Sequence, residues 1–234
     1  MLFRSPLRSK ESVKLSRRIA DESTVLLKND GQLLRFHIFL HFRFETDSLV
    51  VIKLHIDLIR SREIGLTFSW PERLEDSPVY ELATQDVDNV NYEDSLMVGY
   101  RYFDTKRVTP RYEFGYGLSY TTFDYSKMKV KKDGDNCVVT LHVKNTGSRD
   151  GAEVVQIYVG QKNCRYTRPV HELKAFDKVF LKPGESREVT FTLDKDAFSY
   201  WNPDRRAWVR DSDEFTIEAG HSSRDIRRSA KVRF

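Results

Sequence analysis

The sequence predicts a mainly β chain whose second half is a β-sandwich, and three observations carry that expectation. First, Cys137, Val139, Leu141 and Val143 alternate with Val138, Thr140, His142 and Lys144, the period of a strand with one buried face. The same alternation returns at Val189, Phe191 and Leu193 and at Phe215, Ile217 and Ala219, and Val154 to Val159 is another β-rich run. Second, turn residues separate the runs. Asn145-Thr146-Gly147 closes one, and in Lys182-Pro183-Gly184-Glu185 proline presets φ while glycine follows. Third, no long amphipathic helix interrupts the series. Short strands at this spacing indicate a sandwich of immunoglobulin or fibronectin type.

The elements follow in chain order. Lys10 to Thr24 places Val13, Ile19 and Ala20 among charged residues and reads as a short helix. Val25-Leu26-Leu27 is an apolar strand, closed by the turn Lys28-Asn29-Asp30-Gly31. A helix feeding a buried strand starts an α/β layer, so residues 1–33 read as the beginning of one. Residues 34–65 are atypical and hairpin-like: Phe36 to Phe44 and Val50 to Leu58 both alternate, with a turn near Glu45-Thr46-Asp47-Ser48. His37, His41 and His55 raise the question of zinc, but no Cys, Asp or Glu completes a ligand spacing. Imidazoles on the polar face of a strand pair is the reading adopted, and neither a metal nor a cofactor is expected. Residues 66–125 comprise a proline-bounded connector at Trp70 to Pro78, an acidic surface loop at Glu81 to Asp94, and an aromatic-rich linker. Its stretches Met97 to Asp104 and Phe114 to Phe123 either offer aromatic faces to sugars or anchor the linker against a neighbouring domain. Anchoring is the commoner use of such residues.

The sandwich is expected over residues 126–234. Its inward candidates are Val139, Leu141, Val143, Val155, Ile157, Val159, Phe176, Val179, Val189, Phe191, Leu193, Phe215 and Ile217. Phe198, Tyr200, Trp201 and Trp208 are placed at its edge around the turn Asn202-Pro203-Asp204. Trp201 and Trp208 are also the candidates, weak ones, for a sugar-binding platform.

The chain has 234 residues, 39% hydrophobic and 32% charged, with 39 basic against 35 acidic side chains and a formal net charge of +4. Interspersed charges of both signs leave no nucleic-acid footprint. Cys137 and Cys164 make no metal framework and are read as two unrelated free thiols. The opening Met1-Leu2-Phe3-Arg4-Ser5-Pro6 meets charge and proline too early for a cleavable signal. No run approaches the roughly eighteen apolar residues that span a bilayer. Neither a nucleic acid nor a membrane is therefore expected as a partner.

Ile19 to Gly31 resembles the opening of the second domain of glycoside hydrolase family three, the β-glucosidase family, and Phe68 to Asp76 resembles that domain's close. Val98 to Asp104 and Phe114 to Thr121 are similar to the linker that follows it. Asn145-Thr146-Gly147, Glu153 to Gln156, Arg168-Pro169, Glu172-Leu173, Leu181 to Glu185 and Ser222 to Ile226 are similar to its C-terminal fibronectin type III-like domain. The resemblance implies hydrolysis of terminal β-D-glucosyl residues by domains of which this chain keeps only a part. The nucleophilic Asp belongs to an N-terminal barrel with no counterpart here. The acid/base Glu belongs to the interior of the second domain, where this chain has the unfamiliar Gln32 to Gly65. The missing domains, or a β-glucoside or glucan, are the implied partners. Arg168-Pro169 ahead of Glu172-Leu173-Lys174 then reads as a loop pinned for docking on a lost neighbour, with its face exposed.

A retaining glycosidase needs two carboxyl groups about 5–5.5 Å apart, one ionised and one protonated. Glu72, Glu75, Asp76, Asp86, Asp88, Asp94, Asp211, Asp213 and Glu214 all fall in expected loops, charged connectors or turns. None occupies a motif position of the family's pair, so no catalytic residue is transferred. The chain is expected to be inactive alone, the alternative being a non-catalytic interaction or carbohydrate-binding module.

Overall fold

The computed structural model describes Lys14 and residues 65–80, 95–162, 164–210 and 214–234. The short helix, the strand at Val25 and the hairpin with His37, His41 and His55 lie outside the described residues. So do the acidic loop and Asp86, Asp88, Asp94, Asp211 and Asp213.

Two antiparallel sheets face each other, as the alternating runs require. One has the order β3 (Phe123–Asp133), β4 (Asn136–Asn145), β7 (Ser186–Leu193). The other has the order β11 (Ile226–Arg233), β10 (Glu214–Gly220), β5 (Gly151–Gln161), β6 (Glu172–Leu181). Three strands against four, about a common apolar layer, is the fibronectin-type arrangement. Beside it lie the small pairs β1 (Trp70–Pro71) with β2 (Pro110–Tyr112), and β8 (Tyr200–Asn202) with β9 (Ala207–Val209). Ahead of β2 runs a short helix, α1 (Tyr100–Lys106), inside the stretch expected to be linker.

Every inward candidate but one is buried. Phe176 is 69% exposed. Phe176 and Val179 stand three apart on one strand and cannot share a face, because side chains alternate with period two. From Leu181 back to Ala175 the pairing with β5 is regular, and Ala175, Val179 and Leu181 face the core while Phe176 falls on the opposite face. The sandwich's first strand begins at Phe123, just ahead of the expected boundary at residue 126, and Phe123 and Tyr125 join the core. Phe198 and Tyr200 are buried, whereas Trp201 and Trp208 project outward. Glu214, expected in a turn, instead opens β10, where Lys231 and Arg233 of β11 pair with it. Cys137 is buried in the core and Cys164 is half-buried; both are free thiols. Burial pushes the Cys137 thiol up to about 11, so it stays protonated.

The chain changes sheet between β6 and β7 through Lys182-Pro183-Gly184-Glu185. Gly184 takes φ of 76°, and the Glu185 amide donates to the Lys182 carbonyl at 2.9 Å. Asn145, fully buried, ties this crossover down. Its Nδ2 donates to the carbonyls of Arg149 (2.7 Å) and Leu181 (3.0 Å). Its Oδ1 accepts from Thr121 Oγ1 (2.6 Å) and the Gly147 amide (3.0 Å). All four hydrogen-bonding positions of the amide are used.

Candidate functional site

Among the described residues, the largest concentration of buried polar groups lies where residues 99–117 meet the four-stranded sheet. It is built from three segments. The first is α1, entered from Gly99, whose carbonyl accepts from the Tyr102 and Phe103 amides at 3.1 and 3.2 Å. The second is the loop Gly220–Asp225 between β10 and β11. The third is the stretch from Arg168 into β6.

His171 is the centre of one half. Its Nδ1 is 2.7 Å from Glu218 Oε2 and its Nε2 is 3.3 Å from Asp104 Oδ2. Both partners are carboxylates, so both ring nitrogens donate and the ring is an imidazolium. Burial pulls its pKa down, but the hydrogen bonds to Asp104 and Glu218 outweigh this and hold it at about 9. The ring stacks on Tyr158, with centroids 4.7 Å apart. Asp104 also accepts from Arg224 Nε at 2.6 Å. Arg224 Nη2 donates to the carbonyls of Phe103 (2.9 Å) and Val108 (2.6 Å), so one guanidinium secures the end of α1 to the β10–β11 loop. Burial favours the protonated form of Asp104, yet its bonds to His171 and Arg224 hold it below the usual carboxylate value.

His221 is the centre of the other half. Nδ1 is 3.0 and 3.1 Å from the two oxygens of Glu153, and Nε2 is 3.0 Å from the Gly117 carbonyl. Neither acceptor can donate, so this ring is also an imidazolium. Burial lowers its pKa, but the Glu153 hydrogen bond and charge outweigh this and hold it at about 9. Glu153 accepts a third bond from the buried Tyr125 hydroxyl at 2.8 Å. Ser222 Oγ donates to Glu113 at 3.0 Å, and the Ser223 amide donates to the Phe114 carbonyl at 2.9 Å. Gly115 passes so close to Gln156 that a Cβ there would stand 2.4 Å from Nε2, at φ of 86°. Two linker side chains also serve the start of β6: Tyr100 Oη accepts from the Leu173 amide (2.8 Å) and Thr105 Oγ1 from the Val170 amide (2.9 Å).

This arrangement is an ionic clamp. An imidazolium has no lone pair for general-base chemistry, and neither ring nitrogen meets a hydroxyl or a thiol. The aromatics of the linker anchor it: Tyr100 packs on Phe114 at 4.8 Å and edge-on to Tyr158 at 5.9 Å. The face expected to lie open at Arg168 and Glu172 is covered here. Glu172 is 8% exposed, because α1 lies against it.

The other sequence candidates stand apart from the clamp. Trp201 and Trp208 are cross-strand partners on β8 and β9, 51% and 63% exposed, with ring centroids 6.0 Å apart at 73°. Glu72 and Glu75 are exposed on the connector. Asp76 accepts from the Arg73 amide at 3.0 Å, where the chain forms a single 3₁₀ turn. Sequence reasoning missed His171, His221, Asp104 and Arg224 as a group. Asp104 and Arg224 both lie in stretches that carry the family resemblance, but 120 residues separate them and nothing local pairs them. No cluster of His, Cys, Asp or Glu among the described residues is arranged to hold a metal ion, and no described helix is long and apolar enough to cross a membrane.

A two-sheet sandwich that grips its own incoming linker defines the class as fibronectin type III-like, and residues 153–223 match the fibronectin type III-like domain family. The longer matches then place it: the chain is a relative of the β-glucosidases of glycoside hydrolase family three, corresponding to their C-terminal part. It is 48% identical over 172 residues to thermostable β-glucosidase B of Acetivibrio thermocellus, covering 72% of this chain and 23% of that protein. It is 44% identical over 168 residues to an exo-α-(1→6)-L-arabinopyranosidase of Bifidobacterium breve, covering 71% and 22%. Among solved structures, the family-three β-glucosidase of Bifidobacterium adolescentis superposes with a TM-score of 0.71 at 43% identity, over 73% of this chain and 25% of that one. β-Glucosidase 3B of Thermotoga neapolitana, solved with α-D-glucose, gives 0.68 at 39% identity, over 72% and 24%. The chain thus spans about a quarter of the length of these relatives.

Proposed function

We propose that this chain is a non-catalytic β-sandwich module of β-glucosidase type, which holds its linker rigid beside sugar-cleaving domains and does not itself hydrolyse β-glucosides. One observation carries this reading. The buried carboxylates Asp104, Glu153 and Glu172 are each engaged by cationic partners: His171 and Arg224, His221, and Arg168 with Arg101 and Lys174. A general acid must stay protonated near neutral pH. Asp104 and Glu172 are pushed the opposite way, below the usual carboxylate range, despite their burial.

Cleavage of terminal β-D-glucosyl residues would then belong to the catalytic domains of such enzymes, the proposed partners of this module. The unfamiliar Gln32 to Gly65 stands, on this reading, in place of the second domain's interior. Nearly equal identity to proteins named for a glucoside and for an arabinopyranoside supports a role in scaffolding rather than in choosing the sugar. The full chain incubated with an aryl β-glucoside is expected to release no aglycone. Release that Asp104→Asn or Glu153→Gln abolishes in a folded protein would sink the proposal.

A second reading, a carbohydrate-binding module, is favoured by the exposure of Trp201 and Trp208. Their rings stand at 73° and so cannot form one flat platform for successive sugar units. Sedimentation with insoluble glucan is expected to carry down no more chain than a Trp201→Ala, Trp208→Ala double variant. Capture lost in that variant would restore the second reading.

A further inference from the structure

One part of the junction carries more positive charge than the clamp uses. Around the single carboxylate of Glu172 stand Arg168 Nη2 at 2.5 Å, Arg101 Nη2 at 3.5 Å and Lys174 Nζ at 3.6 Å. One negative charge against three leaves a surplus of two in a partly buried place. Arg168 is committed: its other amino group bonds Gln161, and its guanidinium carbon lies 5.5 Å from the centre of the Tyr200 ring. Arg101, whose guanidinium carbon lies 5.9 Å from the centre of the Tyr100 ring, and Lys174 are held more loosely at Glu172. Their distances to Glu172 exceed those of good N–H···O bonds. Arg101 Nε is buried without a hydrogen-bond partner. Both side chains still reach solvent, at 33% and 21% exposure. Burial depresses the Lys174 pKa, and repulsion from Arg168 and Arg101 adds to this against the pull of Glu172. Surplus charge with spare donors, reachable from solvent, is relieved by a second anion.

We propose that Arg101, Arg168 and Lys174, gathered by Glu172, form a binding site for an oxyanion, a phosphate or carboxylate group. The guanidinium of Arg101 offers a planar fork and Lys174 a mobile point charge, a combination suited to an oxygen-rich group. The site is independent of any sugar chemistry. Its ligand is either a free ion or an acidic side chain of a protein seated on this edge.

The test is thermal unfolding of the full chain in inorganic phosphate against chloride at matched ionic strength. Phosphate is expected to raise the midpoint in a saturable way, and Lys174→Gln to weaken apparent phosphate affinity at least tenfold. Lys178→Gln, further along β6 and exposed, should leave the effect intact. Without phosphate, Lys174→Gln should be no less stable than the parent, since burial together with repulsion from Arg168 and Arg101 outweighs the pull of Glu172 on the Lys174 charge. A residue serving only to pair Glu172 would instead lose stability. Displacement of phosphate by a glutamate-rich peptide assigns the site to a protein carboxylate, and failure to displace assigns it to a free ion. No phosphate-specific rise, an equal rise in Lys174→Gln, or a Lys174→Gln protein less stable than the parent overturns the proposal.

Discussion

Raising the pH from 6.5 to 9 is expected to lower the urea midpoint of this protein steeply, more than carboxylate titration alone would allow. His171 and His221 titrate near 6.5 when unfolded and at about 9 when folded. A raised folded value means that the stabilisation is complete below pH 6.5, where both states hold the proton. It shrinks as the unfolded chain releases its protons and is gone above pH 9, where both states have lost them. The shift corresponds to on the order of 3 kcal/mol per histidine as a ceiling. Both rings are mostly shielded, with side chains 8% and 19% exposed, so solvent screening reduces this only modestly. The groups facing His171 are Asp104, Glu218 and Tyr158, with Arg224 beyond Asp104; those facing His221 are Glu153 and, further off, Asp225. Asp104 and Glu172, held below their usual values, act at the other end: their contribution is complete above the unfolded carboxylate range and fades as pH falls through the lowered folded values. Stability should therefore peak between about pH 5 and 6.5. A His171→Gln, His221→Gln double variant should be less stable at pH 6 and nearly flat from 6.5 to 9. An equally steep decline in that variant would refute the imidazolium assignment.

The second large effect is expected at Asn145. Asn145→Ala removes two donated and two accepted hydrogen bonds at once, one of them to the Leu181 carbonyl beside the sheet-changing turn. Leaving such groups unpaired costs about 2–4 kcal/mol in sum, since neighbours relax and water re-enters on the Arg149 side. Chemical denaturation should show this as a lower midpoint with an unchanged slope. Asn145→Asp should cost as much, because its carboxylate turns two donated bonds into oxygen facing oxygen. A loss below 0.5 kcal/mol in either variant, about the size of an ordinary surface change, would mean that the turn holds itself.

The clamp and the sandwich were legible in the sequence to different degrees, and the difference is physical. Strand alternation is a local, period-two signal, so Val139, Leu141 and Val143, or Phe215 and Ile217, disclose their faces without any partner. The turn at Pro183-Gly184 is equally local, since φ preferences belong to single residues. Phe176 shows where this stops. Period two puts it opposite Val179, but only the packing of the two sheets decides which of the two faces the core. The linker aromatics could be named as anchors, but not the surface they grip.

What the sequence determined by itself, then, was the β-sandwich, its turns, its two free thiols and the kinship with family-three β-glucosidases. Each is written in residues that are neighbours or near-neighbours along the chain. The tertiary structure alone decided that Asp104 would meet His171 and Arg224, and Glu153 would meet His221. Those ion pairs join residues 67, 120 and 68 positions apart. The charge of each histidine is set by what surrounds it, because two acceptors facing one ring fix its proton, and folding alone brings them there.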